Sequence, residues 1–214
     1  MRERQSTAAN RNLWLQVTPI VHLPLRQRNP NTHRGTHRLQ ITDIDGPTIL
    51  FDYDGVRFLT DPTFDSTGGD YKSGPVTLHK LSGPAPPAEE LGNADYVLIS
   101  HDQHFDNLDH AGRAYLPSVQ KMITTSERRR KGRRNSGELT DWQSSDLSTA
   151  AGKLRVVATP SRHGAAGLKL GAVTGFVLFN VDSPKRVIDI SGDTVLFEGV
   201  AEVAKLARLF QTTT

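Results

Sequence analysis

Short apolar runs bounded by turn residues dominate the hydrophobic pattern of the chain, and this pattern favours β-strands. Two such runs, residues 48–53 and 56–60, are separated only by Asp54-Gly55. Asp-Gly between apolar strands predicts a tight hairpin, because both turn positions need a positive φ. The second strand runs into Asp61-Pro62, where proline ends the hydrogen-bonded ladder.

Further strands and helices are predicted along the rest of the chain. Single strands are expected at residues 95–99, 122–124 and 154–160, and a second hairpin at residues 176–181 and 186–191. Helical patterns occur at residues 108–115 and 198–210, and in the second of these the apolar residues recur on one side. Strands and helices thus alternate after residue 95, which predicts an α/β fold.

A Gly- and Pro-rich stretch covers residues 66–92, and we expect a long surface loop there. The chain has 214 residues, of which 36% are hydrophobic, and this suits one domain with a modest core. No apolar run approaches the roughly 20 residues that a membrane helix needs, so no membrane partner is expected. A cytoplasmic location is the expectation.

The net charge of +3 is divided unevenly. Residues 1–40 and 121–134 each carry a net +6, so the remainder carries −9. Residues 1–35 are predicted to be a disordered or poorly ordered basic leader, with a transit peptide as the alternative, and residues 36–214 the folded domain. Within the second basic block, the run at residues 128–134 predicts a solvated loop; phosphate contact is the alternative, but no aromatic residues interleave with the charges.

The most informative stretch is residues 100–110, which read SHDQHFDNLDH and directly follow the apolar run at 96–99. Three histidines and three aspartates at the end of a predicted buried strand exceed what core packing requires. Since the chain contains no cysteine, any bound metal must be held by imidazole and carboxylate ligands. This stretch is therefore predicted to form a metal site.

Three other features accompany this stretch in a fixed order: residues 59–62 (LTDP) before it, then His163 after a strand, and residues 191–194 (SGDT). Together the four features resemble the metallo-β-lactamase-fold hydrolases, most closely the branch that includes ascorbate-6-phosphate lactonase-like enzymes. The resemblance runs from about Leu39 to Phe210. It implies an αββα sandwich with one or two metal ions in loops at one sheet edge.

The resemblance also implies the ligands of these ions. The first ion would take His101, His104 and His163, and the second would take Asp106 and a bridging Asp193. Zinc is the expected metal, with manganese as the alternative. The usual family motif is H-x-H-x-D-H, and this chain departs from it at two places. First, Gln103 stands as if inserted before His104, so that His101 lies one residue too early and Asp102 competes with it for the position of the first histidine. Second, Asn107 replaces the last histidine.

The activity implied by the resemblance is hydrolysis of an ester, lactone, amide or phosphoester in a small molecule. A metal-bound hydroxide would attack, and Asp106 would orient the water and accept its proton. The family usually continues well beyond the Gly-Asp-Thr motif, so the second half of the fold is expected to be incomplete. Homo-oligomerisation would cover the exposed sheet. The rival hypothesis is a degenerate or truncated member that serves as a binding protein through its basic segments.

Overall fold

The computed structural model describes most of the second half of the sequence and much of the first. The described residues are 39–73, 76–125, 136–149, 152–167, 170–184 and 186–212. The predicted leader and residues 126–134 of the basic segment lie outside these ranges, so the predictions made for them are not tested.

Twelve strands and three helices form the described part of the chain. The strands are β1 (Leu39–Asp45), β2 (Thr48–Tyr53), β3 (Val56–Thr60), β4 (Asp70–Ser73), β5 (Val76–His79), β6 (Tyr96–Leu98), β7 (Lys121–Thr125), β8 (Ser136–Leu139), β9 (Ser144–Thr149), β10 (Gly152–Pro160), β11 (Thr174–Asn180) and β12 (Val187–Ile190). The helices are α1 (Ala88–Leu91), α2 (His110–Tyr115) and α3 (Glu198–Thr212). Among the described residues, no helix has the length and hydropathy needed to cross a bilayer.

The strands form two main sheets and one small one. The first sheet has the order β1-β2-β3-β6-β7-β8, and the second has the order β12-β11-β10-β9. In the first sheet β3, β6, β7 and β8 run parallel, whereas β1 to β3 and the whole second sheet are antiparallel. The short strands β4 and β5 pair only with each other.

Side-chain alternation builds three apolar layers. Strand β3 sends Phe58 into the core between the two sheets and Leu59 toward α1 and α2 on the outer face. Strand β11 is buried along its whole length, because Leu178 enters the same central core while Val177 packs against Val203 of α3. Successive side chains of a strand point to opposite faces, so each central strand serves two layers. The predicted αββα architecture is confirmed.

Both predicted hairpins are present. Strands β2 and β3 pair antiparallel around Asp54 and Gly55, which adopt φ values of 53° and 83°. Strands β11 and β12 form the second hairpin, and the predicted strands at 95–99, 122–124 and 154–160 appear as β6, β7 and β10. The helices predicted at 108–115 and 198–210 appear as α2 and α3.

The prediction of one long loop at residues 66–92 is wrong. This stretch contains the β4–β5 hairpin and the helix α1. Backbone hydrogen bonds between Gly68 and Lys80 and between Gly69 and Lys80 close the base of the hairpin, each at 2.8 Å. Its strands are mostly exposed, so they carry no apolar signal. For the same reason sequence patterning did not indicate β9, in which only Leu147 is buried.

Candidate metal centre

Three strand ends meet at one edge of the sandwich. The histidine loop, residues 100–107, begins just after β6, His163 follows β10, and Asp193 follows β12. Strands β10 and β12 flank the start of β11, since Pro160 pairs with Thr174 and Ile190 pairs with Phe176. The chain therefore delivers these three segments to the same place, although they are far apart in sequence.

Ser100 connects the two sheets at this edge. Its carbonyl oxygen accepts a hydrogen bond of 3.0 Å from the backbone N–H of Thr174 at the start of β11. Gly192 fits against the same two residues with a φ of +63°, and a Cβ there would lie 2.6 Å from the Thr174 oxygen and 3.0 Å from Ser100 Cβ. Only glycine combines this backbone conformation with so close an approach.

The three histidines predicted for the first ion lie together. One ring nitrogen from each of His101, His104 and His163 falls within 4.8 Å of the others. The shortest approach is 3.0 Å, between Nε2 of His163 and Nδ1 of His104. Two nitrogens bound to one tetrahedral zinc stand about 3.3 Å apart, so this spacing suits a shared cation.

The ring of His101 is fully buried, with one nitrogen paired and one free. Its Nδ1 lies 2.9 Å from Oγ of Ser100, whereas its Nε2 has no hydrogen-bond partner in the protein. A buried polar atom without a partner costs about 1–3 kcal/mol, and such atoms are rare in native proteins. The free nitrogen belongs to the histidine cluster, so a bound cation would satisfy it.

Asp193 contacts the outer side of the His163 ring. Its Oδ2 lies 3.2 Å from Nδ1 of His163, while Nε2 of the same ring faces His104. A carboxylate on Nδ1 favours the tautomer in which that nitrogen carries the proton, so that Nε2 keeps its lone pair. Among the described residues, neither Asp193 nor the exposed Asp106 joins the group of donor atoms within 4.8 Å.

Electrostatics keep His101 neutral at physiological pH. Burial, followed by the neighbouring His163 and His104 rings, lowers the pKa of His101 from 6.5 to about 4, although Asp193 and Asp106 act in the opposite direction. A neutral imidazole has a free lone pair, and metal binding requires one. The cluster therefore accepts a cation at pH 7 without first having to lose a proton from His101.

Asp61 lies behind the cluster and is also buried. Its Oδ1 accepts a 2.7 Å hydrogen bond from the backbone N–H of Ser100. Burial raises the pKa of Asp61 to about 7, while hydrogen bonds from Ser100 and from the Asn107 side chain lower it. Ser100 thus links the Asp61 carboxyl to Nδ1 of His101. Asn107, which replaces the last histidine of the usual motif, supports Asp61 in this arrangement.

Several residues of the site have roles that sequence reasoning did not assign. Asp109 is buried, caps α2 by accepting from Gly112 N–H at 2.8 Å, and also accepts from Asp65 N–H at 2.7 Å. An aspartate just before a helix is a recognisable N-cap pattern, so this role was accessible from the sequence. The contacts of Ser100, Gln103 and Thr174 had no such signal, because their partners are distant in sequence.

No protein-family model matches the chain. Among curated proteins, it is 28% identical over 173 residues to UPF0173 protein YddR of Bacillus subtilis, a match that covers 77% of this chain. The match covers 66% of YddR, so the chain spans slightly less than two thirds of this relative's length.

Two solved structures share the fold. Isothiocyanate hydrolase from Delia radicum gut bacteria superposes with a TM-score of 0.64 at 24% identity, covering 78% of this chain and 68% of that chain. Igni18, a metallo hydrolase from Ignicoccus hospitalis, gives a TM-score of 0.56 at 19% identity, covering 78% of this chain and 66% of that chain. Both likenesses are below 25% identity, and they establish the shared architecture.

Proposed function

We propose that this chain, a homologue of YddR with the metallo-β-lactamase fold, is a metal-dependent hydrolase whose ion is held by His101, His104 and His163. One observation carries the proposal: the fully buried His101, whose Nε2 has no hydrogen-bond partner, belongs to a cluster of three imidazoles with a ring nitrogen of each within 4.8 Å of the others. Three imidazoles that leave a fourth position open are the ligand set of many catalytic zinc sites.

The protein's own groups prepare the three imidazoles for a cation. Ser100, backed by Asp61, holds the Nδ1 side of His101, and Asp193 holds the Nδ1 side of His163. The Asp193 contact favours the His163 tautomer with a free Nε2 lone pair, and the Ser100 contact engages Nδ1 of His101 and leaves its Nε2 without a partner. A bound divalent cation supplies Lewis-acid chemistry, which lowers the pKa of water and polarises the group under attack.

Asp106 is our candidate for the proton acceptor. It belongs to the histidine loop, is exposed to solvent, and lies close enough to His101 to raise the pKa of that ring. An exposed carboxylate beside the cluster is able to take a proton from water and release it to solvent. We propose zinc as a single ion; manganese, or a second ion on Asp106 and Asp193, would be revealed by the metal analysis described below.

The proposed substrate is a small molecule with an electrophilic centre in an ester, lactone, amide or phosphoester. The name of one structural neighbour adds isothiocyanates to this set, because the carbon of that group is also attacked by water. All five classes share the same first step, attack of water on a polarised centre, and the cluster geometry suits that step.

The proposal is tested by metal content and hydrolysis measured on the same preparations. After loading with zinc and removal of excess, we expect one ion per chain in the wild type and none in His104→Ala. Hydrolysis of at least one of the five substrate classes should disappear with a chelator and return with zinc. His79→Ala is the matched control, because His79 is an exposed histidine paired with Asp70 on the β4–β5 hairpin.

A folded wild-type protein that takes up no zinc, manganese or other divalent cation at saturating concentration would refute the metal centre. If that metal-free protein also bound nucleic acid with an affinity that falls steeply with salt, the rival interaction function would replace the proposal. Stoichiometric metal without hydrolysis of any substrate in the panel would refute the substrate classes while preserving the metal site.

A further inference from the structure

The histidine cluster is divided between two chain segments. The histidine loop carries His101 and His104, and a second segment, residues 161–173, carries His163 and leads into β11. We call the second one the return segment; its residues 168 and 169 are outside the described part. The two segments face each other at His104 and His163, and the start of β11 meets Ser100.

The return segment has a backbone that needs external support. Three of its residues, Gly164, Gly167 and Gly171, adopt φ values of 81°, 91° and 99°. Glycine loses more conformational freedom on folding than any other residue, so a segment of this composition orders itself poorly without contacts from elsewhere. Near His163 the segment is held by Arg162, whose N–H donates to Oγ1 of Thr194 at 2.8 Å and whose carbonyl accepts from Val195 N–H at 2.9 Å. The far part of the segment, next to β11, needs a contact of its own.

Gln103 connects the two segments by its side-chain amide. Its Nε2 donates a 2.8 Å hydrogen bond to the carbonyl oxygen of Ala172 in the return segment. Its Oε1 accepts from the backbone N–H of Asp102 in the histidine loop at 3.3 Å. Both ends of the amide are thus engaged by backbone, so that Gln103 spans the gap between the loops in one fixed conformation.

Gly171 is shaped around this contact. A Cβ at position 171 would lie 2.8 Å from Cδ and 3.0 Å from Cγ of Gln103. Its φ of +99° is also outside the range that other residues adopt readily. The return segment therefore passes close over the Gln103 side chain only because residue 171 has no side chain of its own.

We propose that Gln103 is a positioning residue that fixes the histidine loop to the end of the return segment at Ala172, close to the pairing of Thr174 with Pro160, and so holds His104 against His163 for metal binding. Gln103 is the residue by which the histidine loop departs from the H-x-H spacing, so the inserted residue has a structural use. This inference rests on the proposed metal centre. Gln103 itself does not contact the ion in this scheme; it acts through the placement of the adjacent His104.

The test compares zinc affinity with the stability of the metal-free protein. We expect Gln103→Ala and Gln103→Glu to weaken zinc binding about 10-fold to 100-fold, the range found for residues that orient metal ligands. Gln103→Glu keeps the length of the side chain but places an acceptor against the Ala172 carbonyl. The thermal midpoint of the metal-free protein should change no more than in the control variant.

Asn180→Ala is the matched control. Its side-chain amide oxygen also bonds backbone, accepting from Asp182 N–H at 2.9 Å and Ser183 N–H at 3.1 Å. Asn180 lies at the opposite end of β11 from Thr174, about 20 Å away along the strand. This variant should lose stability while keeping wild-type zinc affinity, which separates the positioning of ligands from a general loss of packing.

A double-mutant comparison gives a second readout. Gly171→Ala should weaken zinc binding in the wild-type background because the new methyl group collides with Gln103. In the Gln103→Ala background that collision is absent, so the same substitution should have a clearly smaller effect. Such non-additivity is expected of residues in direct contact.

The outcomes separate this inference from the proposed function. If the wild type binds no metal, the metal centre itself is refuted and the role of Gln103 falls with it. If the wild type binds zinc and Gln103→Ala binds it equally well, the metal centre stands and the positioning role is refuted. Equal losses of affinity in Gln103→Ala and Asn180→Ala would also refute it, since any destabilising change would then suffice.

Discussion

The two ends of the sandwich join the same pair of sheets with opposite chemistry. At the metal end, three imidazoles meet, and the free nitrogen of His101 has no partner in the protein. At the far end, Arg186 forms an ion pair with Asp54, and its guanidinium lies 5.1 Å from the centre of the Tyr53 ring. These residues precede β12 and β3, so they sit at the strand ends opposite the histidines.

The difference in charge between the two ends supports the proposed metal centre. At the far end a cation, an anion and an aromatic face meet within the chain, and the Tyr53 hydroxyl donates to the Arg186 carbonyl oxygen at 2.7 Å, although Nη1 of Arg186, like Nε2 of His101, is buried without a hydrogen-bond partner in the described part of the chain. At the metal end the chain brings together three groups of one kind, all of them bases. A cation from outside the chain would complement such a group.

A substitution at the metal end should therefore lower zinc affinity with little loss of stability, whereas one at the far end should lower stability and leave zinc affinity unchanged. This contrast is the largest we predict. His163→Ala should weaken zinc binding by at least about 100-fold, more than loss of an outer-shell partner does. It should cost the metal-free protein little stability, because one of three crowded bases is removed. Equilibrium dialysis with zinc and urea unfolding without metal measure the two effects.

Asp54→Asn is the counterpart at the far end. Asparagine tolerates the positive φ of this turn, so the substitution removes the charge and leaves the backbone conformation accessible. Since Arg186 is one-third exposed, we expect a loss of about 1–2 kcal/mol in the free energy of unfolding. Zinc affinity should be unchanged. A variant that lost zinc while remaining folded would contradict the independence of the two ends.

The next prediction concerns how the free energy of unfolding of the metal-free protein depends on pH. Because the folded pKa of His101 is lowered to about 4 from 6.5, the unfolded chain binds its proton more readily between these values. The His101 contribution to stability is complete above pH 6.5 and decreases as pH falls toward 4, by up to about 1.4 kcal/mol per pH unit.

Asp61 should act with the opposite sign in nearly the same window. Its folded pKa is raised to about 7 from 3.8, so its contribution is complete below pH 3.8 and is lost as pH rises through 7. The two slopes oppose each other in the wild type. Urea unfolding between pH 4 and 8 should show opposite changes of slope in His101→Gln and Asp61→Asn; parallel changes would show that one assignment of the pKa direction is wrong.

A pair of glycine substitutions tests how tightly the sheets meet at the metal end. Gly46→Ala places a Cβ in open space at a φ of +50°, so it should cost only about 1 kcal/mol of backbone strain. Gly192→Ala adds overlap with Thr174 and Ser100 to a similar strain, and we expect a loss of about 2–4 kcal/mol. Thermal unfolding of the two variants gives the comparison, and equal losses would contradict the close approach.

The smallest expected effect concerns the β4–β5 hairpin outside the metal end. Tyr71 stacks on Phe105 of the histidine loop with ring centres 5.1 Å apart, and its hydroxyl donates to Asp65 at 2.8 Å. Tyr71→Phe keeps the stack and removes only the hydrogen bond, so we expect a loss of about 1 kcal/mol in the free energy of unfolding and no change in zinc affinity. A marked loss of affinity would show that the hydroxyl, rather than the ring, supports the loop.

Much of the fold was predictable because its signals are local. Asp54-Gly55 determines a hairpin by itself, and the apolar residues of β10 and β11 mark buried strands whatever they pack against. The exposed strands β4, β5 and β9 gave no such signal, since their residues are held by backbone pairing with neighbours rather than by burial. Hydrophobic patterning therefore found the interior strands and the edge strand β12, and missed the other edge strands, β1, β8 and β9.

The same division holds for the site. The residue types in positions 100–110 predicted metal-binding groups in this loop, because core packing alone does not require so many imidazoles and carboxylates together, although Asp109 of this stretch caps α2. Only the tertiary structure decided that His163 faces His104, that Asp193 lies behind His163, and that Gln103 reaches Ala172. Those contacts join residues 30 to 69 positions apart, and their distances depend on how two sheets pack, which no local pattern encodes.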